Sequence, residues 1–141
     1  MVIINHKINM KTLAALKRTY SAQFELYEYI LCHGISIGAT EDAFMRRTLG
    51  ELADASKKIL AHTHLNTYHD SMSMCVRDAL AAVKNSLSVL DRLLQLVEED
   101  ARRSQLNQSY EFTVYNKKLN DTIDVANKTA DILNVRLTEG F

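Results

Sequence analysis

The chain contains no proline, and it contains no glycine between Glu51 and Glu139. Proline and glycine are the residues that most strongly interrupt regular structure, and the rest of this stretch favours helices. Apolar residues recur through it at intervals of three and four, which is the spacing of one helix face. The stretch therefore predicts an all-α protein built from long helices.

Four segments carry this helical period, and each has one predicted core stripe. Gly34 follows the first stripe and residues 34–40 form a loop, a turn is expected near residues 66–70, and polar residues 104–109 connect the last two segments. Expected helix caps are Thr40, Asp70 or Ser71, Ser109 and Gly140. The stripes are Leu13, Leu16, Tyr20, Phe24, Tyr27 and Leu31; Met45, Leu49, Leu52, Ser56 and Ile59; Met72, Val76, Leu80, Val83, Leu87, Leu90, Leu94 and Val97; and Phe112, Tyr115, Leu119, Ile123, Ala126, Ala130, Leu133 and Leu137.

Four long amphipathic helices with short connections pack most economically as an antiparallel, up-down-up-down four-helix bundle. A helical hairpin that pairs with a second copy is the alternative architecture. The length of 141 residues predicts a single domain, residues 1–141, in which residues 1–8 form a flexible or short N-terminal extension.

The charge composition gives no preference for a polyanionic partner. The 17 basic and 17 acidic residues balance, so no long-range field attracts the molecule to nucleic acid or to an anionic membrane. No stretch approaches the roughly 18 uncharged apolar residues of a membrane span. Cys32 and Cys75 have no metal-ligand spacing, and we expect two reduced, buried thiols in a cytoplasmic protein, with one disulfide as the alternative.

The residues show no arrangement that is typical of catalysis or metal binding. His62, His64 and His69 cluster near Asp70, but side chains two apart on a helix point away from each other. No glutamate is followed three residues later by histidine, as a di-iron bundle requires. We therefore expect a non-catalytic protein without metal or cofactor.

Apolar residues outside the stripes indicate contact with other proteins. Val114, Val125 and Ile132 form a second line on the fourth segment, roughly opposite its core stripe and among charged residues. Leu93 and Leu96 widen the apolar face of the third segment, and Leu26, Tyr29 and Ile30 widen that of the first. These surpluses predict a homo-oligomer, or an adaptor- or chaperone-like protein that binds a partner, although scattered surface apolar residues are the simpler interpretation.

Nucleic-acid binding is the first alternative. Residues eleven apart lie almost on one line of a helix, so Arg47 aligns with Lys58 and Lys117 aligns with Lys128. Lines of this kind contact phosphates, although they are also typical of a solvated face. A pocket near Gly50 and Tyr27 that binds a small ligand is the second alternative. Gly50 lies inside a helical pattern, where we expect it to allow a close helix crossing.

The layout from Leu87–Leu96 through Tyr110 into Lys118–Leu133 resembles the accessory proteins of diversity-generating retroelements. The resemblance implies a four-helix bundle that forms a ring-shaped oligomer and binds reverse transcriptase and nucleic acid. That family is strongly basic and ends its last helix with a motif similar to Gly-Gly-Trp. This chain is neutral and has no tryptophan, so nucleic-acid binding is kept as an alternative.

Overall fold

The structure is a computed structural model that describes residues 6–64, 69–104 and 110–139, and the side chains of residues 10–62, 71–101 and 111–139. These residues form helices α1 (His6–Cys32), α2 (Ala39–His64), α3 (His69–Ser104) and α4 (Tyr110–Glu139), without a strand. The prediction of an all-α protein is confirmed. Residues 6–8, which were expected to belong to an extension, are helical. None of the described helices is long and apolar enough to cross a membrane.

The end of α1 is set by Gly34, as the sequence predicts. Gly34 adopts a φ of 60°, a left-handed conformation that costs glycine little. The amide of Ile35 donates to the carbonyl of Ile30 at 3.0 Å, and the amide of Gly34 donates to the carbonyl of Leu31 at 3.3 Å. These bonds satisfy carbonyls at the helix end that would otherwise lack partners.

The start of α2 differs from the prediction that Thr40 is its cap. Gly38 has a φ of 90°, and its carbonyl accepts a hydrogen bond from the amide of Asp42 at 3.0 Å. Gly38 therefore occupies the capping position, and the helix begins at Ala39. The reason is that the left-handed glycine turns the chain into the helix before Thr40. Glu41 and Asp42 lie in the first turn, which confirms the predicted negative charge at the positive end of the helix dipole.

The other predicted caps fall near or beyond the described residues. The helix α3 begins at His69, so Asp70 and Ser71 lie inside it rather than at its cap. Residues 65–68, Ser109 and Gly140 lie outside the described residues, together with most of the turn predicted near residues 66–70.

The four helices enclose one apolar core in which each helix packs against two neighbours. The contacts are those of a four-helix bundle: α1 and α3 each pack against both α2 and α4. The predicted stripes of α2, α3 and α4 supply buried or half-buried residues along their whole length. Among the described side chains, α3 contributes the largest number of buried residues, and Cys75, Ala79, Ala82 and Ser86 form a small-residue part of its buried face.

The helix α1 is rotated relative to the stripe that the sequence predicts. Phe24 and Leu31 are 42% and 60% exposed, although they were assigned to the core. Leu26 and Ile30, which were interpreted as surplus surface residues, are 1% and 2% exposed and belong to the core. Tyr29 is half-buried and packs against the core. The buried face of α1 thus lies to one side of its predicted core stripe.

Buried polar residues explain this rotation. The Thr19 hydroxyl donates to the Thr129 hydroxyl at 2.7 Å, and the Thr129 hydroxyl donates to the Ala15 carbonyl at 3.1 Å. The Gln23 amide donates to the Thr48 hydroxyl at 2.6 Å. Thr19 and Gln23 occupy core positions that an apolar pattern does not reveal, so the pattern assigns their apolar neighbours instead.

We predict that replacing Thr48 by valine destabilises the fold more than replacing both members of its hydrogen bond. Thr48→Val leaves the buried Gln23 amide with the Met45 carbonyl at 3.3 Å as its remaining oxygen acceptor. The free energy of unfolding should fall by about 1–2 kcal/mol, because an under-satisfied buried amide keeps its desolvation penalty. Adding Gln23→Met should recover part of this loss in urea denaturation.

The control for this pair is Ser88→Ala, which removes an exposed hydroxyl and should change stability by less than about 0.5 kcal/mol. A double variant that is less stable than Thr48→Val alone would contradict the prediction.

Gly50 does not mark the close helix crossing that the sequence suggested. It is exposed, and a Cβ atom added there meets nothing within 4 Å. We therefore predict that Gly50→Ala stabilises the protein by about 0.5–1 kcal/mol, because alanine loses less backbone entropy in a helix.

Thermal denaturation measures this effect, with Gly38→Ala as the matched contrast. At Gly38 the backbone has a φ of 90° and an added Cβ would lie 2.6 Å from Glu41 Oε2, so this variant should be destabilised. An unchanged or lower melting temperature for Gly50→Ala would show that the prediction is wrong.

Candidate functional site

Two clefts lie along the seam between α1 and α4. The first cleft, of about 150 Å³, is lined by Ala22, Glu25, Leu26, Lys118, Asp121, Thr122 and Val125. The second, of about 330 Å³, is lined by Lys11, Thr12, Ile132 and Arg136. We call these residues together the α1–α4 groove. Each cleft contains one of the apolar residues that the sequence marked for partner binding.

The hydrogen bonds of Thr129 join the two helices between these clefts. Thr129 lies between Val125 and Ile132 along α4, and its hydroxyl contacts the Ala15 carbonyl and the Thr19 hydroxyl of α1. These buried bonds hold the helices together at this level. The clefts on either side therefore have a fixed spacing along α4.

The rim of the groove carries charges of both signs. Lys11, Lys118 and Arg136 are its basic residues, and Glu25 and Asp121 are its acidic residues. Lys118 Nζ lies 5.3 Å from the centre of the Tyr29 ring, within the range of a cation–π interaction. Half-buried apolar residues inside a charged rim are typical of protein–protein contact surfaces.

The structure places the predicted partner-binding residues in different environments. Val125 and Ile132 are half-buried and line the groove, and Val114 is half-buried near the N-terminal end of α4. The sequence placed this line opposite the core stripe, whereas Val125 and Ile132 lie on the flank that faces α1. Leu93 is fully buried in the core and offers no surface, and Leu96 is half-buried against the core.

The predicted nucleic-acid residues do not form one patch. Arg47 and Lys58 lie on α2, whereas Lys117 and Lys128 lie on α4, and these two helices are not among the pairs that pack together. The Lys117 ammonium also forms an ion pair with Asp121 at 3.1 Å. The lines predicted from eleven-residue spacing thus lie on separate helices of the bundle.

Lys58 lies in a cleft between α2 and α3 whose acidic residues outnumber it. This cleft, of about 370 Å³, is lined by Glu51, Asp54, Ala55, Lys58, Asp78, Ala81 and Ala82. A phosphate there would meet repulsion from the carboxylates. Among the described side chains, those of residues 10–62, 71–101 and 111–139, no group of three or more histidine, cysteine, aspartate or glutamate residues is placed to hold a metal ion. His64, His69 and Asp70 have side chains outside the described set.

A cleft between α1 and α2 brings together lysines that the sequence did not single out as a pair. It has a volume of about 480 Å³ and is lined by Lys17, Tyr20, Ser21, Ala53, Ser56 and Lys57. The two lysines belong to separate basic doublets 40 residues apart in the chain. Only the packing of α1 against α2 makes them neighbours, so no local sequence signal identifies this cleft.

Tyr27 and Gly50 have different surroundings in the structure. The Tyr27 hydroxyl donates to Asp42 at 2.6 Å, and this hydrogen bond raises the pKa of Tyr27, with a further contribution from burial. Asp42 also forms an ion pair with Arg46 at 3.1 Å. Tyr27 thus ties α1 to the first turn of α2, while Gly50 faces open space.

Cys75 and His62 form a thiol–imidazole contact that the sequence alone does not reveal. Cys75 Sγ lies 3.5 Å from His62 Nδ1, which also lies 2.8 Å from the Lys58 carbonyl. Burial raises the pKa of the Cys75 thiol, and Asp78 raises it further. This direction is opposite to the lowered pKa of an activated cysteine nucleophile. Cys32 is exposed, which corrects the expectation that both thiols are buried, and neither cysteine is in a disulfide.

Comparison of the chain with protein-family models, curated proteins and solved structures gave no match.

We predict that iodoacetamide modifies Cys32 much faster than Cys75 in the folded protein. Cys32 is exposed, whereas Cys75 is 6% exposed and its raised pKa keeps the thiol protonated at neutral pH. Mass spectrometry of the modified peptides should show Cys75 labelling rising only when the pH exceeds the ordinary thiol pKa of about 8.5. In denaturant the two rates should converge, and equal rates in the folded protein at pH 7 would contradict the assignment.

Proposed function

We propose that this protein acts without catalysis, by binding another protein in the α1–α4 groove. The observation that carries the proposal is that Val125 and Ile132 lie in two consecutive clefts with a rim of mixed charge. Apolar residues in such a setting provide the buried contacts of an interface, and the charged rim provides specificity.

The spacing of the two clefts favours a helical partner segment. Val125 and Ile132 are two helical turns apart, which corresponds to roughly 10 Å along α4. Two apolar side chains seven residues apart on a partner helix span the same distance. A helix that lies in a groove through such anchors is a common mode of peptide recognition.

We also infer that neighbouring helices of the bundle run antiparallel. Hydrogen bonds join Tyr27 to Asp42 and Gln23 to Thr48, so the sequence position falls along α1 as it rises along α2. The same reversal relates Glu41 with Arg92 and Glu51 with Asn85 between α2 and α3. Between α1 and α4, Tyr29 contacts Glu111 and Ala15 contacts Thr129, which favours an up-down-up-down arrangement.

Unpaired cysteines favour a reducing compartment for this activity. Cys32 and Cys75 are both free, and free thiols are typical of proteins that function in the cytoplasm. We therefore place the proposed function in the cytoplasm.

We predict that Val125→Glu and Ile132→Glu each weaken partner binding at least tenfold. A glutamate in either cleft replaces an apolar contact with a charged group that must lose its water when the partner binds, and loss of a central apolar contact is among the largest single-residue effects at interfaces. A partner captured from the source cell by the tagged protein is identified by mass spectrometry and purified, and its affinity is then measured by titration calorimetry.

The matched control is Asn127→Glu, because Asn127 is exposed on α4 and lies outside the groove residues. Circular dichroism checks that each variant keeps its helical content. Unchanged affinity in both groove variants, or equal loss in the control, would overturn the proposed surface.

Binding of nucleic acid is the second candidate function. The α1–α2 cleft is a better candidate site for it than the basic residues predicted from the sequence. Lys17 and Lys57 share this cleft with the hydroxyls of Tyr20, Ser21 and Ser56. Lysine and hydroxyl groups contact phosphate oxygens without sequence preference. Retention on immobilised single-stranded DNA should then fall steeply with salt and be lost in Lys57→Glu. Elution of the native protein at low salt would remove this candidate.

A further inference from the structure

The outward face of α1 carries large apolar residues at positions 10, 24 and 31, which are separated by multiples of seven. Met10, Phe24 and Leu31 are 39%, 42% and 60% exposed, and they are three of the five large apolar side chains that are exposed among the described residues. Lys17 occupies the remaining position of the series, and Ala14, Ser21 and Glu28 alternate with it at exposed positions. We call these seven residues the α1 stripe.

The stripe has the three- and four-residue spacing of a coiled-coil seam. Its positions 10, 14, 17, 21, 24, 28 and 31 follow each other at alternating intervals of four and three. The core of the bundle uses the opposite side of the same helix, where Thr19, Gln23 and Leu26 are buried. One helix of this protein therefore has two packing faces, and its own bundle covers one of them.

We propose that the α1 stripe pairs with the α1 stripe of a second copy of this chain, in antiparallel orientation, to form a two-fold symmetric dimer. A two-fold axis between residues 22 and 23 places opposite each other those residues whose numbers sum to 45. The pairing is self-complementary, because each contact made by one copy is repeated by the other. The inference does not rest on the α1–α4 groove, since none of the stripe residues belongs to that groove.

Charge complementarity identifies a second copy as the occupant. In this register Lys17 of one protomer lies opposite Glu28 of its partner, and the symmetry creates the same pair twice. Lys17 and Glu28 are eleven residues apart on their own helix, so each is available to a different chain. Opposite charges in facing positions select the partner and its orientation.

Side-chain size is also complementary in this register. Phe24 lies opposite Ser21 of the other copy, and Leu31 lies opposite Ala14, so these two large apolar residues each meet a small one. Met10 lies beyond the paired segment, because the position opposite it, residue 35, follows the end of α1. Alternation of large and small side chains is what lets facing helix surfaces interdigitate. A shift of seven residues in either direction loses the pairing of Lys17 with Glu28, and one of these shifts places Phe24 opposite Glu28. The antiparallel register with the sum of 45 is therefore the favourable one.

The contact uses a single helix from each copy. Such an interface lies near the lower end of the size range of specific complexes, roughly 1,200 Å² in total. We therefore expect a dimer that dissociates in the micromolar range and is visible by sedimentation velocity at higher concentrations.

Charge reversal tests the proposed pairing. Lys17→Glu places glutamate opposite Glu28, and Glu28→Lys places lysine opposite Lys17, so each single variant should raise the dimer dissociation constant roughly tenfold through two repulsive contacts. The double variant Lys17→Glu/Glu28→Lys should return close to the wild-type constant. A mixture of the two single variants should form a heterodimer, because both of its contacts are then attractive. A matched control, Glu98→Lys, reverses an exposed charge on α3 and should leave the constant unchanged.

Orientation is tested by the distance between spin labels on Cys32, in a Cys75→Ala variant whose melting temperature is checked first. The antiparallel register separates the two Cys32 backbones by roughly 28 Å along the helix axis, whereas a parallel pair would bring them within about 10 Å. A distance below about 20 Å would overturn the register. A strict monomer at several hundred micromolar, or a dimer that none of the charge variants affects, would overturn the proposal itself, while leaving the test of the α1–α4 groove unaffected.

Discussion

The buried hydrogen bonds of Thr19 and Gln23 determine how α1 sits in the bundle, and the surfaces of the protein depend on that rotation. Both side chains are fully buried, and both bond to neighbouring helices, Thr19 to Thr129 of α4 and Gln23 to Thr48 of α2. Turning α1 about its axis would break these bonds, and each group that stayed buried without a partner would cost about 1–3 kcal/mol. An apolar core alone would allow several rotations of similar energy, so the polar bonds select one of them.

The consequences of this rotation appear on both sides of α1. It moves Phe24 and Leu31 outward, where they form the α1 stripe, and it moves Leu26 inward, where it contributes to the floor of a cleft with α4. The same hydroxyl bonds to Thr129 fix the seam beside Val125 and Ile132. Interior hydrogen bonds thus decide which apolar residues are left for contact with other proteins.

The sequence predicts α2, α3 and α4 well because their apolar residues coincide with their buried residues. Leu52, Leu90 and Leu119 are fully buried on the predicted stripes. Long helices form because the chain has no proline, and no glycine between Glu51 and Glu139, to interrupt them. The same rule holds only in part for α1. Leu13, Leu16 and Tyr27 of its predicted stripe are buried. The pattern leaves out Thr19 and Gln23, however, which are polar and also buried. Periodicity assigns the most apolar line to the core, and in α1 the most apolar line is shifted from the buried one.

The candidate surfaces are less predictable than the helices, because they depend on which helices become neighbours. The line of Val125 and Ile132 can be found from α4 alone, but its place in a groove requires α1 to supply Glu25 and Lys11. Lys17 and Lys57 come together only when α1 packs against α2. Arg47 and Lys117 lie apart because α2 and α4 are not among the pairs of helices that pack together. Leu93 was assigned to a partner surface, but it is buried in the core. The wide apolar face of α3 is buried because α3 packs against both α2 and α4. An apolar residue therefore indicates a partner only where the neighbouring helices leave it accessible, as they do for Phe24 and Leu31, whether or not it lies on a predicted stripe.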